Sequence, residues 1–216
     1  MAVRLGSTGD ERSTTGTVRT LLPGQSRALA RLPYINILFV CTGNVFRSPI
    51  AQAFLTKIAR DRSLGLTVQS AGTLPGERSI LPEALKVISA RGVDISAHRS
   101  RQLGIADVGR AHLILGMARE HVREVALVDP EAWPRTFTLK ELVRRGELLG
   151  ARSPSQTLSQ WLALIGQTRP REDLVGSSSA DDVEDPLDRS LPQFQRTADE
   201  LWDLVNRVVR LIEPDE

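Results

Sequence analysis

The chain has 216 residues, 41% apolar and 25% charged, the balance of a globular protein with enough material for one sizeable core. Its net charge of +2 is too small to point to nucleic acid, and lysine occurs only at Lys57, Lys86 and Lys140, an arginine bias that predicts a bacterial source with a GC-rich genome. No apolar run nears the roughly 20 residues of a membrane helix, no secretory signal core opens the chain, and a single cysteine, Cys41, rules out an internal disulfide, so a cytoplasmic protein without a membrane partner is expected.

Residues 1–33, rich in Gly, Ser, Thr and Arg without a period, predict a poorly ordered extension. Ordered structure is expected from Tyr34. "YINILFV" has the continuous apolar character of a central parallel strand. After the loop that follows, Ser48 is read as an N-cap and Pro49 as the first helical residue, with Ile50, Phe54 and Ile58 recurring to about Arg60. "LTVQSAG" (66–72) predicts a second strand, and Pro82 to Arg91 a helix stopped by Gly92. "AHLILG" (111–116) predicts a third strand, Arg119 to Val128 a helix, and "RTFTL" (135–139) a fourth strand. The pattern from 140 to 170 is helical, with Leu158, Trp161, Leu162 and Ile165 on one stripe. Residues 170–190 read as a polar loop. Ser190 and Pro192 then open a long helix that carries Phe194, Ala198, Leu201, Val205, Val208 and Ile212 on one face. Alternation of strands and helices predicts one α/β domain over 34–216 with a parallel sheet, elaborated by a helical insertion at about 140–180.

Ligands of such sheets sit beyond the carboxyl ends of the strands. Cys41 stands there, between the first strand and the first helix. The backbone N–H groups of a loop rich in Gly43 and Asn44 can turn inward around an anion, with the helix N-terminus adding positive potential. Arg47 can offer two oxygens of a phosphate a planar fork. A thiolate is stabilised by the same surroundings, so one loop can bind a phosphate dianion and hold a nucleophile beneath it. The Ser48 hydroxyl has two uses open to it, capping the helix or donating to the sulfur. His112 and His121 show no metal-ligand spacing with each other or with Cys41, and no function is read from them.

"VCTGNVFRSPIAQ" resembles the phosphate-binding loop of the low-molecular-weight protein tyrosine phosphatases. The similarity continues in family order through "SAGT" (70–73), "DISAHRSRQL" (94–103), "HLILGMAREHV" (112–122) and "VEDP" (183–186). The resemblance implies a flavodoxin-like four-stranded parallel sheet with helices on both faces, no metal and no cofactor. It implies a phosphorylated protein as substrate, such as a tyrosine kinase target. By the same resemblance Cys41 attacks phosphorus to form a cysteinyl-phosphate, and Arg47 clamps the equatorial oxygens. The loop Thr42, Gly43, Asn44, Val45, Phe46, Ser48 binds phosphate through backbone N–H groups. Asn44 locks the loop, His98 supports it from behind, and Asp185 is the general acid.

Departures from the family pattern carry information. Phe46 replaces the family's usual second cysteine, so peroxide inactivation of Cys41 has no internal disulfide to rescue it. Gln52 stands where Glu is common and carries little weight. Aromatic walls are missing at Leu74 and Leu187, so a pocket lined by Phe46, Leu74 and Leu187, with looser selectivity for a ring, is expected. Val45 stands where phosphoarginine hydrolases of the family tend to have threonine, which favours phosphotyrosine. Two alternatives remain: an arsenate reductase using an external thiol, and a phosphate-binding module without turnover.

Overall fold

The central strand β1 (Ile35–Cys41) alternates its side chains between two cores. Ile37 and Phe39 face one and Leu38 and Val40 the other, all at 1% exposure or less. A computed structural model describes residues 34–170, 172 and 175–213, all within the unit 31–216. The expected extension over 1–33 lies outside the described residues.

Helix α1 (Arg47–Asp61) returns the chain to β2 (Leu66–Gly72), which pairs with β1 in parallel from Ile35↔Leu66 to Cys41↔Gly72. Then come α2 (Pro82–Ser89), the short α3 (Ile105–Arg110), β3 (Leu113–Gly116), α4 (Arg119–Val128), a 3-10 helix (Pro130–Arg135) and β4 (Thr136–Thr138). The insertion forms α5 (Leu139–Leu149) and α6 (Leu158–Gly166), and α7 (Leu191–Ile212) closes the chain. Strand order is β2-β1-β3-β4, all parallel. Order reverses across β1, so the loop leaving Cys41 opens at the switch point of the sheet.

Helices cover both faces, as expected for this α/β fold. On one, α1, α2, α5, α6 and α7 bury a large core with Ile37, Phe39 and Phe137; on the other, α3 and α4 bury Val108 and Val125 against Leu38, Val40 and Ile114. The predicted face of α7 is buried throughout. Each large apolar side chain taken fully from water there contributes about 1.5–3 kcal/mol. In the insertion, Trp161, Leu162 and Ile165 are buried as their stripe predicted, and Trp161 Nε1 donates to the Gly150 carbonyl at 3.0 Å. Arg169 clamps Glu141 with two bonds of 2.7 and 2.9 Å and stacks over the rings of Trp133 and Phe137.

Two local expectations are corrected. Ser48 does not cap α1: the helix begins two residues earlier than expected, at Arg47, and Phe46 is its N-cap residue. The loop is drawn into the helix because its backbone is fixed by contacts described below. Residues 105–110, read as no element, form α3, held by Asp107, which accepts from Gly104 N at 3.1 Å and from Arg101 at 2.5 Å. The other elements fall within two residues of their expected ends, β3 starting at Leu113 because Ala111 still caps α3, except that the helical stretch expected over 140–170 divides into α5 and α6 and ends at Gly166.

Candidate active site

The loop from Cys41 to Arg47 is shaped from outside. The Cys41 carbonyl accepts from Thr73 N at 3.0 Å, that of Thr42 from Leu74 N at 3.1 Å, that of Asn44 from His98 Nε2 at 2.9 Å, and that of Val45 from Leu81 N at 3.2 Å. In a planar trans peptide the N–H points opposite the carbonyl. Four carbonyls turned outward therefore turn the N–H groups of Thr42, Gly43, Val45 and Phe46 inward. The fifth, Asn44 N–H, bonds Cys41 Sγ at 3.2 Å. The loop closes tightly enough that Asn44 takes a positive φ of 51°, a left-handed conformation asparagine tolerates. It also lies so close to β2 that a Cβ at Gly72 would sit 2.8 Å from the Thr42 carbonyl oxygen.

Asn44 is the hub behind the loop. Its Nδ2 donates to Ser48 Oγ and Ser70 Oγ, both at 2.9 Å, and its Oδ1 accepts from Arg101 N at 3.1 Å. Ser70 in turn donates to Gln52 Oε1 at 2.6 Å, so Gln52 anchors this network. The motif 94–103 is thus a strap whose His98 and Arg101 hold the loop's back. Burial lowers the His98 pKa against the opposing pull of the Asn44 carbonyl, which keeps the ring neutral near pH 7. Ser48 Oγ, which accepts from Asn44, lies 3.0 Å from Cys41 Sγ, with the Ala71 carbonyl at 3.5 Å. Of the two uses open to Ser48, the structure takes the bond to sulfur.

Arg47, 4% exposed, reaches from the first turn of α1 to the loop before α7. One terminal nitrogen donates to the Val183 carbonyl at 3.3 Å; the other bonds Thr42 Oγ1 at 3.2 Å and forms an ion pair with Asp185. Asp185 thus meets Arg47 beyond the carboxyl end of β1. Its loop is anchored on both sides. Val183 N donates to Met117 O at 2.7 Å, Lys140 Nζ to the carbonyls of Ser179 and Asp182, and buried Asp181 is held by Arg119 at 2.7 Å and by Arg144 of the insertion at 2.8 Å.

Burial raises the Asp181 pKa, but the bonds from Arg144 and Arg119 outweigh it and leave the carboxyl below its ordinary 3.8. A folded-state pKa below the unfolded one adds stability that is complete above about pH 4 and is lost as pH falls through the folded value. Asp181→Ala is expected to lower stability by about 3 kcal/mol near neutrality, since two guanidinium groups lose their acceptor. Thermal melts of parent and variant should draw together as pH falls below about 4; a gap that does not narrow there would remove the ion pair as the cause.

The Phe46 ring is 3% exposed and packs edge-on against Phe194 at 4.9 Å between centroids. It is core, so the exposed apolar groups flanking the site are Leu74 and Leu187. His112 closes the far end of β1, accepting from Asn36 N at 2.9 Å. His121, to which no function was assigned, is buried at the site, with Nε2 3.0 Å from Thr42 Oγ1. The signal for it lay in topology: α4 follows β3, β3 neighbours β1, and so the first turn of α4 stands beside the loop. Among the described residues no cluster of three His, Cys, Asp or Glu side chains is arranged to hold a metal ion, and no helix is long and apolar enough to cross a membrane.

A nest of amides beside a sulfur, an arginine fork and a facing carboxylate on a flavodoxin-like sheet make an arrangement suited to an anion of phosphate's shape. The chain belongs to the low molecular weight phosphotyrosine protein phosphatase family, whose model matches residues 36–160, and it is a phosphatase. It is 42% identical over 108 residues to the probable low molecular weight protein-tyrosine-phosphatase EpsP of Ralstonia solanacearum, covering 49% of this chain and 71% of that one. It is 29% identical over 187 residues to the protein-arginine-phosphatase of Geobacillus stearothermophilus, covering 86% and 100%. It also superposes, with a TM-score of 0.63 and 26% identity over 84% of this chain and 98% of the other, on a serine-for-cysteine mutant of the YwlE arginine phosphatase with a phosphorylated active-site serine.

Proposed function

We propose that this phosphatase hydrolyses phosphotyrosine in proteins, in the cytoplasm, through a cysteinyl-phosphate. The observation that carries this is the inward-turned set of loop amides, of which Asn44 N–H bonds Cys41 Sγ, in the loop that ends at Arg47. Five N–H groups and a guanidinium suit the three equatorial oxygens of a phosphoryl group in flight. The sulfur attacks phosphorus as the phosphorus–oxygen bond to the tyrosine breaks, and Asp185 gives its proton to the departing oxygen. Asp185 then takes a proton from water, whose oxygen attacks phosphorus. The phosphorus–sulfur bond breaks, phosphate leaves and the thiolate returns. The phosphoserine in the mutant relative supports covalent transfer to this loop position. A lone thiol nucleophile suits a reducing compartment.

Phosphoarginine is the second reading. The arginine phosphatase relative aligns over 86% of this chain, against 49% for the tyrosine phosphatase, and the flanking Leu74 and Leu187 supply no aromatic ring. Val45 favours the phosphotyrosine reading. A panel of phosphotyrosine, phosphoarginine and phosphoserine peptides, with arsenate plus an external thiol, decides between them. The expected result is fastest turnover of phosphotyrosine and no arsenite; faster phosphoarginine hydrolysis reverses the assignment.

Asp185→Ala is expected to slow phosphotyrosine hydrolysis by about 10²- to 10³-fold. It should slow p-nitrophenyl phosphate far less, because that leaving oxygen needs little protonation. Steady-state rates on both substrates test this, and equal losses would take the proton-donor role from Asp185.

A further inference from the structure

The geometry points to His121 as a positioning residue for the reaction: it anchors the Thr42 hydroxyl, and through that hydroxyl fixes the terminal nitrogen of Arg47 against the amide nest. This rests on the reading of Arg47 as the clamp of a transferring phosphoryl group.

His121 lies in the first turn of α4 with 1% of its surface exposed, and both ring nitrogens are engaged. Nδ1 faces the backbone N–H of Ala118 at 2.9 Å and must accept from it. That fixes the neutral tautomer with its proton on Nε2. Nε2 is 3.0 Å from Thr42 Oγ1 and therefore donates to it. Arg47 donates to the same oxygen at 3.2 Å. With two donors directed at it, the hydroxyl sends its own proton outward, where Glu120 Oε1 lies at 3.4 Å. Thr42 is thus a junction with a defined direction at each arm.

The neutrality of His121 suits this place. Burial first, then the positive charge of Arg47, lowers its pKa from 6.5 to about 3, with Arg123 adding less. An imidazolium would repel the guanidinium it has to help hold, whereas a neutral ring supplies a proton without adding charge. Glu120, 3.4 Å from Nε2 but 56% exposed, is left mostly to solvent and to Thr42. The anchoring matters because the Arg47 nitrogen bonded to Thr42 is also the one paired with Asp185. When a phosphoryl group takes that pairing and Asp185 turns to the leaving oxygen, Thr42 remains as a fixed neighbour. The guanidinium then keeps its plane between the two steps.

Four variants of the full chain test this: Thr42→Val, Thr42→Ser, His121→Asn and the double variant Thr42→Val/His121→Asn. Thr42 is partly exposed, so its valine variant does not threaten the fold. Asparagine at 121 keeps an acceptor for Ala118 N but is too short to reach Thr42. The expected result is a loss of about tenfold in kcat for each single variant, with a similar rise in the inhibition constant of inorganic phosphate. The double variant should be no worse than either single one, and Thr42→Ser should stay within about twofold of the parent. A packing role for His121 would not produce this non-additivity or the rescue by serine. Thr42→Val at the parental rate, or losses that multiply to about a hundredfold in the double variant, would overturn the inference. A parent with no turnover of any phosphate monoester would remove the phosphatase reading itself, and the inference with it.

Discussion

Replacing Cys41 by serine is expected to cut turnover of p-nitrophenyl phosphate roughly 10⁴-fold or more while leaving the binding of inorganic phosphate nearly intact. The two halves of this outcome come from different atoms. Binding belongs to the loop amides, whose direction is set by carbonyls bonded to Thr73, Leu74, Leu81 and His98, none of which touches the sulfur. The proposed attack on phosphorus belongs to Sγ, and among the described residues no second thiol exists to replace it. A hydroxyl keeps the partners of the sulfur, Asn44 N and Ser48 Oγ, so the fold should hold and the melting temperature should change little. Steady-state rates, phosphate inhibition and a thermal melt measured together check all three statements. Turnover within tenfold of the parent would mean that another group attacks phosphorus.

The part of the site that was legible in the sequence is the part that is contiguous. Cys41, Asn44, Arg47 and Pro49 lie on one loop and one helical turn, so strand end, left-handed residue, fork and helix start are read in order. Long periodic elements were legible for a similar reason: α7 repeats its apolar face over 22 residues. The misreadings are those where tertiary contacts outvote local preference. Ser48 is a good N-cap residue by type, yet Asn44 and Cys41 claim its hydroxyl, and the helix starts at Arg47 instead. The segment 105–110 has only six residues, opens on Ile105 at 63% exposure and contains Gly109, so no helical period could show itself. Phe46 looked like a pocket wall because loop residues often are, but Phe194, far along the chain, draws its ring inward. His121 meets Thr42 across 79 residues of sequence, a distance no local pattern spans.

The insertion shows the same division. Its stripe announced a packed helix, while its role emerges only from long-range ion pairs. Arg144 and Lys140 of α5 hold the backbone and the buried carboxylate of the loop that carries Asp185. The insertion therefore braces the segment that carries Asp185, beyond the carboxyl ends of the strands where the loop after Cys41 opens.

Arg47→Lys is expected to lower kcat/KM about 10²-fold and Arg47→Ala about 10³-fold or more, although lysine preserves the charge. The reason is directional. The two terminal nitrogens of Arg47 serve different places, one the Val183 carbonyl and the other Thr42 and Asp185. A guanidinium fills both from one rigid plane, whereas an ammonium is a single point on a flexible stem. Lysine can therefore neutralise a bound phosphate but cannot brace two of its oxygens while touching the Val183 loop. Loss of folding stability should be only about 1 kcal/mol, because Asp185 is 42% exposed and regains water once its partner is gone. The activity loss is thus separable from unfolding by a thermal melt on the same preparations. Inorganic phosphate should inhibit the lysine variant more weakly than the parent, and the alanine variant more weakly still. A lysine variant that works at the parental rate would show that charge alone suffices, and the fork would have no part in the transition state.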